Sequence, residues 1–144
     1  DGGFMGNPAI FPLIYEGASR DVVIIHINPI ERKKLPQTAP EIFDRINEIS
    51  FNAGLLGELR AINFVRRLIA EGRMEAGKMK AVNVHMISDD QLMNDLSADS
   101  KLSPTPFLLD RLKTAGRAAA DKFLHNGGSK IGQEPSLDVK GLLA

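Results

Sequence analysis

The first residues of the chain have the types and spacing of a catalytic turn. Asp1 is followed by Gly2 and Gly3, and Asn7-Pro8 then leads into an apolar run. A carboxylate can accept the proton of a hydroxyl nucleophile, and adjacent glycines allow a second segment to approach the backbone closely. The alternative is an ordinary turn aspartate. The rest of the sequence contains no plausible nucleophile for this base, so we expect the nucleophile to lie upstream of Asp1.

The histidines and the other acidic pair do not predict a metal or cofactor site. His26 and His85 fall in predicted strands, and His125 lies near the end of a predicted helix. These three residues lack an i, i+4 spacing and adjacent acidic ligands, so we expect them to be structural. Asp89-Asp90 is either a paired-carboxylate site or a helix start, and the helix start is favoured. The chain has no cysteine, which excludes disulfides, thiolate ligands and a cysteine nucleophile.

Composition restricts the classes of partner. Eighteen Lys and Arg residues balance eighteen Asp and Glu residues, so no long-range field attracts nucleic acid, and none is expected as a partner. No apolar run approaches the roughly 18–20 residues of a membrane span. The lack of a membrane-spanning run, together with the lack of cysteine, predicts a cytoplasmic protein. The charge run 31–34 is interpreted as a solvated turn, with the alternative that it draws anionic head groups in a peripheral membrane contact.

The positioning elements alternate between strands and helices. The β-branched run 21–27 predicts a strand covered on both faces. Thr38 and Glu41 have capping-box spacing and predict the start of a long helix that ends near residue 72. Alternating polar residues in the second strand, 81–87, indicate less complete burial. A further helix is predicted from Thr105 and Pro106 to Gly127-Gly128.

The long helix carries a repeating apolar pattern. Its members recur in steps of three and four, which predicts one buried stripe: Ile42, Ile46, Ile49, Ala53, Leu56, Leu59, Ile62, Val65 and Ile69. Gly54 and Gly57 interrupt the helix at a cost of up to about 1 kcal/mol each relative to Ala. Close packing against a neighbouring segment is the simplest explanation for both.

This order of elements predicts an α/β fold with a parallel or mixed sheet between helices. Residues 1–128 are interpreted as part of one domain, and residues 129–144 as a loosely packed tail. Two strands are few for a self-sufficient sheet. We therefore expect the N-terminal half of the domain, with further strands, to be absent from this chain.

The motifs, taken in order, resemble the patatin-like phospholipase family. Asp1-Gly2-Gly3 with Asn7-Pro8 is similar to that family's aspartate motif. The similarity continues through 22–29 into the long helix and reappears at 96–102 and 107–119. It covers nearly the whole chain and corresponds to the second half of the family's catalytic domain. The resemblance implies a three-layer α/β/α domain and a serine acyl hydrolase that acts on lipid esters.

The resemblance also implies roles for individual residues. Asp1 matches the aspartate of a Ser–Asp dyad, and Gly2 and Gly3 shape its turn. The family's Gly-x-Ser-x-Gly elbow and glycine-rich oxyanion loop lie upstream and are missing here. The segment 17–21 contains Gly-x-Ser without the closing glycine and precedes a strand, so it does not replace the elbow. No cofactor is implied.

Two other functions stay open at this point. The chain could be a non-catalytic scaffold or lipid-contacting module that keeps the fold without the chemistry. It could also be an intact small α/β binding protein with an accidental likeness. A half-domain should expose sheet edge and apolar surface. We therefore expect it to bind either the missing half of the domain or a second copy of itself, with a lipid or ester as substrate.

Overall fold

A computed structural model describes residues 2–75, 77–96, 100 and 103–143. It confirms a mixed α/β fold with a small sheet. The elements, in chain order, are a 3-10 turn (Gly2–Phe4), α1 (Phe11–Glu16), β1 (Asp21–His26), α2 (Ala39–Ala70), β2 (Asn83–Ser88), α3 (Asp90–Asp95), α4 (Pro106–Asn126), a second 3-10 turn (Gly128–Lys130) and α5 (Val139–Leu142).

The two strands are parallel and in register from Asp21 opposite Asn83 to His26 opposite Ser88. One face of the sheet, with Val22 and Ile24 on β1, belongs to the main hydrophobic core. The core also contains residues from α2, β2, α5 and the segment before α1: Ile10, Leu55, Leu59, Ile62, Val82, Val84 and Val139. The chain connects the strands through α2, which covers this face.

The start of α2 confirms the predicted capping box. The backbone N–H of Glu41 donates to the hydroxyl of Thr38, and a carboxylate oxygen of Glu41 accepts from the backbone N–H of Thr38 at 3.1 Å. The same oxygen accepts from the N–H of Gln37 at 2.7 Å. These backbone hydrogen bonds, that of Gln37 foremost, lower the pKa of Glu41 to about 2. The carboxylate therefore fixes the point at which the loop becomes helix.

The core-facing side of α2 differs from the predicted stripe. Leu59 and Ile62 are buried as predicted, but Ile42, Ile46 and Ile49 are about half exposed. The fully buried Leu55 lies outside the predicted series. At 3.6 residues per turn, the exposed isoleucines project roughly a third of a turn away from Leu55 and Leu59. The helix thus has two apolar faces, and the described chain buries one of them.

The prediction that β2 is less buried than β1 is wrong. Asn83 and His85 on β2 are buried, whereas the β1 side chains Val23 and Ile25 are 43% and 74% exposed. This difference in burial arises because α4 packs against β2. Within the described ranges, the corresponding face of β1 stays open to solvent.

The segment after α4 packs more tightly than expected for a loose tail. The N–H of Leu137 donates to the carbonyl of Val84 at 3.1 Å, which fixes the segment to β2. Val139 then belongs to the main core. The prediction of loose packing overlooked these contacts because Gly, Pro and Ser composition does not reveal them.

The two glycines of α2 have different surroundings. A Cβ at Gly54 would lie 3.4 Å from Gly6 Cα and from the Met5 carbonyl oxygen, so the N-terminal segment packs closely there. This confirms the packing explanation for Gly54. A Cβ at Gly57 would meet no atom within 4 Å, so the same explanation is wrong for Gly57.

Candidate functional site

A cavity of about 620 Å³ lies at the carboxyl ends of the two strands. Its floor is formed by residues that end or follow the strands: Ile25, His26, Ile27, Asn28, Pro29, Ile87, Ser88 and Asp89. Its walls come from α2, α3 and α4, with Phe51, Met93 and Leu112 among the apolar side chains. Ligands in open α/β sheets bind beyond the carboxyl ends of strands. This cavity is therefore the candidate site.

The sheet geometry explains why polar groups collect at the cavity floor. Parallel strands in register end at the same edge, so His26 and Ser88 lie side by side. Asp89 follows directly, and its carboxylate accepts from the backbone N–H of Leu92 at 3.0 Å. This confirms the helix-start interpretation of the acidic pair. Burial raises the pKa of the neighbouring Asp90 carboxyl group.

His26 occupies the buried side of this floor and is 4% exposed. Its Nε2 lies 3.1 Å from Oδ1 of Asn52, and Nδ2 of Asn52 donates to the carbonyl of Pro29 at 2.8 Å. Nδ1 of His26 has no hydrogen-bond partner among the described residues. Burial lowers the pKa of the imidazole, against the hydrogen bond to Asn52 and the charge of Asp90. The lowered pKa favours the neutral form of the ring.

Arg32 links the loop after β1 to both α2 and α3. Its guanidinium pairs with both carboxylate oxygens of Glu48, and it donates to the carbonyl of Asn94 at 3.1 Å. Burial acts to raise the pKa of Glu48, but hydrogen bonds from Arg32 and Arg45 outweigh it and the net pKa is lowered. Lys34 is exposed and lies 3.5 Å from Glu41. The charge run thus contains one structural arginine that its composition did not reveal.

The N-terminal turn packs against α2, although none of its described residues lines the cavity. Gly2 and Gly3 belong to the first 3-10 turn, and the Gly2 carbonyl accepts from the N–H groups of Met5 and Gly6 at 3.0 and 3.2 Å. This segment packs on Gly54, which follows the cavity residue Phe51 by almost one helical turn. A Cβ at Gly2 would meet no atom within 4 Å, so a further segment has room to approach.

Other sequence-predicted features fall outside the described part of the chain. Asp1 lies outside it, as do residues 97–99 and 101–102 of the segment 96–102 that resembles the patatin-like family. His125 donates from Nδ1 to the carbonyl of Asp121 at 2.7 Å near the end of α4. The three histidines are not brought together. Where the chain is described, no group of three or more His, Asp or Glu side chains is arranged to hold a metal ion.

Sequence reasoning missed a part-buried Ser–His–Asp series. Nδ1 of His85 lies 2.9 Å from the Ser136 hydroxyl, and its Nε2 lies 3.0 Å from the Asp21 carboxylate. The N–H of Gly132 also donates to Asp21 at 2.9 Å. The residue types match a catalytic triad, but His85 is fully buried against Phe123. The cavity at the strand ends is not lined by these residues. We therefore assign the series a structural role, joining the C-terminal segment to the sheet.

Acid should weaken this connection through Asp21. The hydrogen bond from His85, and then that from Gly132, lowers the pKa of Asp21 below its ordinary value of 3.8. The folded state therefore binds fewer protons at Asp21 than the unfolded state. The resulting stabilisation is present above pH 3.8 and is lost as the pH falls through the folded-state pKa. Asp21→Asn should flatten the decrease in urea midpoint on acidification.

Ser136→Ala is the matched control for this measurement. It removes a hydrogen bond on the other side of His85 without removing a charge. We expect it to lower the urea midpoint by a similar amount at every pH between 2 and 6. An Asp21→Asn protein with the wild-type pH profile would show that this carboxylate does not stabilise the fold.

Comparison of the chain with protein-family models, with curated proteins and with solved structures found no match. No described helix combines the length and apolar character needed to cross a membrane.

Proposed function

We propose that this chain is the aspartate-bearing part of a patatin-like serine acyl hydrolase that acts on lipid esters. Asp1 is the base of a Ser–Asp dyad, and Gly2 and Gly3 shape its turn. The serine and the oxyanion loop come from upstream polypeptide. The observation that carries the proposal is the apolar cavity at the strand ends, next to an uncovered sheet face. In this proposal the complete domain has three α/β/α layers.

The open face of β1 supports the presence of further strands and helices in the complete domain. Val23 and Ile25 on this face, and Ile27 directly after the strand, have large exposed fractions. Among the described residues, β1 pairs with β2 and leaves its other edge free. Free strand edges and contiguous apolar surface favour association. A second half-domain that adds strands beside β1 would cover both features.

The cavity suits the acyl chain of a lipid ester. Its volume of about 620 Å³ lies within the roughly 300–1,000 Å³ typical of ligand sites. The lining is mainly apolar, with Ile27 directly after β1, Phe51 on α2 and Leu112 on α4. The N-terminal turn packs against α2 about one helical turn away. This arrangement supports a base that reaches the same ligand from the start of the chain.

The proposed chemistry is general-base catalysis. The carboxylate of Asp1 accepts the hydroxyl proton as the serine oxygen attacks the ester carbonyl. Backbone amides of the upstream loop stabilise the oxyanion. The alcohol leaves with a proton, and water hydrolyses the acyl-enzyme. We propose that the complete enzyme is cytoplasmic and contacts membrane lipid peripherally.

Reconstitution tests this proposal. The chain is co-expressed with the upstream half of its domain, and hydrolysis of p-nitrophenyl butyrate is measured for each half and for the purified pair. We expect neither half alone to hydrolyse the ester and the pair to do so. A pair that forms a stable complex without hydrolysis would instead identify the non-catalytic scaffold or lipid-contacting module. Failure of the halves to associate would contradict both functions.

A further inference from the structure

We propose that two copies of this chain associate through the second apolar face of α2, with the two helices packed antiparallel. This face is formed by residues that recur in steps of four and three: Ile42, Ile46, Ile49, Ala53, Leu56 and Arg60. We name these residues the α2 seam. The three isoleucines, Ala53 and Arg60 are exposed, and Leu56 is partly buried. Association through the seam does not depend on the proposed hydrolase activity.

The spacing of the α2 seam is that of a helix-packing surface. An alternation of four and three residues averages about 3.5, which is the period of the apolar a and d positions in coiled coils. Side chains with this period keep facing a second helix over several turns. The seam extends from Ile42 to Arg60, which is about 27 Å along the helix axis. The partner that fits this surface is therefore a helix.

A depression in the middle of the seam has the form of a coiled-coil hole. Its volume is about 250 Å³, and α2 lines it with residues at i, i+3, i+4 and i+7: Ile49, Asn52, Ala53 and Leu56. Arg45, Arg60 and Ile30 complete the lining. In coiled coils, four residues of one helix form the hole that receives one side chain of the facing helix. Because Ala53 is small, a branched side chain of a second helix has room to enter.

The seam is complementary to itself when the second α2 runs in the opposite direction. Its first half carries the isoleucines, whereas its second half contains Ala53 and is bordered by Gly57. A Cβ at Gly57 would meet no atom within 4 Å in one copy, so a second helix can approach closely there. A two-fold axis near residue 51 makes the facing pairs Ile49 with Ala53, Ile46 with Leu56, and Ile42 with Arg60. The bulky half of each helix then packs on the small half of the other, which favours a second α2 as the partner.

Arg60 determines the direction of the pairing. Within the described ranges, Arg60 forms no ion pair. In a parallel pair the two Arg60 guanidinium groups would lie side by side, and like charges repel. The antiparallel pair places them at opposite ends of the seam, each near the start of the other α2. Glu41 at that start is ionised, since backbone hydrogen bonds lower its pKa to about 2, and its side chain is 41% exposed. Charge therefore favours the antiparallel direction.

Analytical ultracentrifugation at increasing chain concentrations tests the association. We expect the apparent mass to rise from that of one chain towards that of two, because a seam that contains a charged residue gives a reversible dimer. Unfolding measured on the dilute chain then reports the monomer, in which Ile46 is half exposed. A chain that stays monomeric up to millimolar concentration would overturn the proposal.

Ile49→Asp tests whether the seam is the contact surface. We expect this charge at the centre of the seam to raise the dimer dissociation constant by roughly 30-fold or more, as for an interface hot spot. Leu109→Asp on α4 is the matched control, because Leu109 and Ile49 are both 55% exposed in a single copy. The control should keep the dissociation constant within about twofold of wild type. Circular dichroism checks that both variants are folded. Equal effects of the two substitutions would overturn the assignment of the seam.

Cysteine cross-linking tests the antiparallel direction. The chain has no cysteine, so Ile42→Cys and Arg60→Cys each introduce a single thiol. An oxidised mixture of the two variants should form a disulfide-linked dimer, because these positions face each other. Neither variant alone should do so, since like positions are about 27 Å apart, too far for a disulfide. Linked dimers of Ile42→Cys alone would indicate a parallel pair and overturn the proposal. None of these readouts depends on ester hydrolysis.

Discussion

Asp1→Asn, in the chain combined with the upstream half that the proposed function requires, is expected to lower kcat for ester hydrolysis by about 10²–10⁴-fold. This is the usual contribution of a positioned general base. Asparagine has nearly the same shape but cannot accept the serine proton, so substrate binding should change much less than kcat. Steady-state kinetics with p-nitrophenyl butyrate separate kcat from KM. The proposal requires the loss to appear in kcat.

Asp110→Asn is the matched control for this substitution. Asp110 lies on an exposed part of α4 and does not line the cavity. The same acid-to-amide change there should leave kcat within about twofold of wild type, as expected for a surface substitution away from the site. Equal losses of kcat for the two variants would show that the replacement of an acid by an amide acts through the overall charge or through folding. A fully active Asp1→Asn enzyme would contradict the role of Asp1.

Leu59→Ala should produce the largest loss of stability. Leu59 is fully buried in α2 and packs in the core with Val22, Ile24 and Val84. Removing its side chain forfeits apolar burial and leaves a cavity, which costs about 2–5 kcal/mol of unfolding free energy. The total free energy of unfolding of a small domain is about 5–15 kcal/mol. Urea denaturation followed by circular dichroism measures the change.

Ile46→Ala on the same helix tests the assignment of the two apolar faces. Ile46 is 52% exposed, so the same kind of truncation should cost under about 1 kcal/mol. The stripe predicted from sequence contains both residues and would give comparable losses, whereas the observed packing gives a much smaller loss for Ile46→Ala than for Leu59→Ala. Comparable losses for Ile46→Ala and Leu59→Ala would mean that both faces of α2 are covered in solution, for example by a second copy of the chain.

Local signals in the sequence predicted the local structure well. Thr38 and Glu41 lie three residues apart, so the capping box that starts α2 is complete within one helical turn. Thr105 and Pro106 predicted the start of α4 in the same way. The nearly continuous β-branched run predicted β1, but its expected coverage on both faces is wrong for the described residues, since Val23 and Ile25 are exposed. Each of these signals depends on neighbours in the chain and needs no knowledge of the tertiary fold.

Long-range contacts account for the predictions that failed. The burial of His85 depends on Asp21 and Ser136, which are 64 and 51 residues away. The relative exposure of the two strands depends on α4 covering one of them, and periodicity carries no such information. Arg32 looked like part of a solvated charge run because its acceptors, Glu48 and Asn94, are distant in sequence.

The position of the candidate site was predictable from the sequence, but only some of its side-chain contacts were. The general rule for α/β sheets places a ligand beyond the strand ends, and the cavity lies there. His26 was predicted to be a hydrogen-bonded structural histidine, and its Nε2 has such a contact with Asn52. Nδ1 of His26 has no hydrogen-bond partner among the described residues, which the spacing of the sequence could not reveal. The role of Asp1 rests on the motif and stays a prediction.

Serine labelling tests the central claim most directly. A fluorophosphonate probe is added to the proposed upstream half under three conditions: with the wild-type chain, with the Asp1→Asn chain, and with no added chain. Mass spectrometry then locates any modified residue. The account predicts rapid modification of one serine within Gly-x-Ser-x-Gly, and only with the wild-type chain. Equal labelling under all three conditions would contradict it, because the serine would then be activated without a base from this chain.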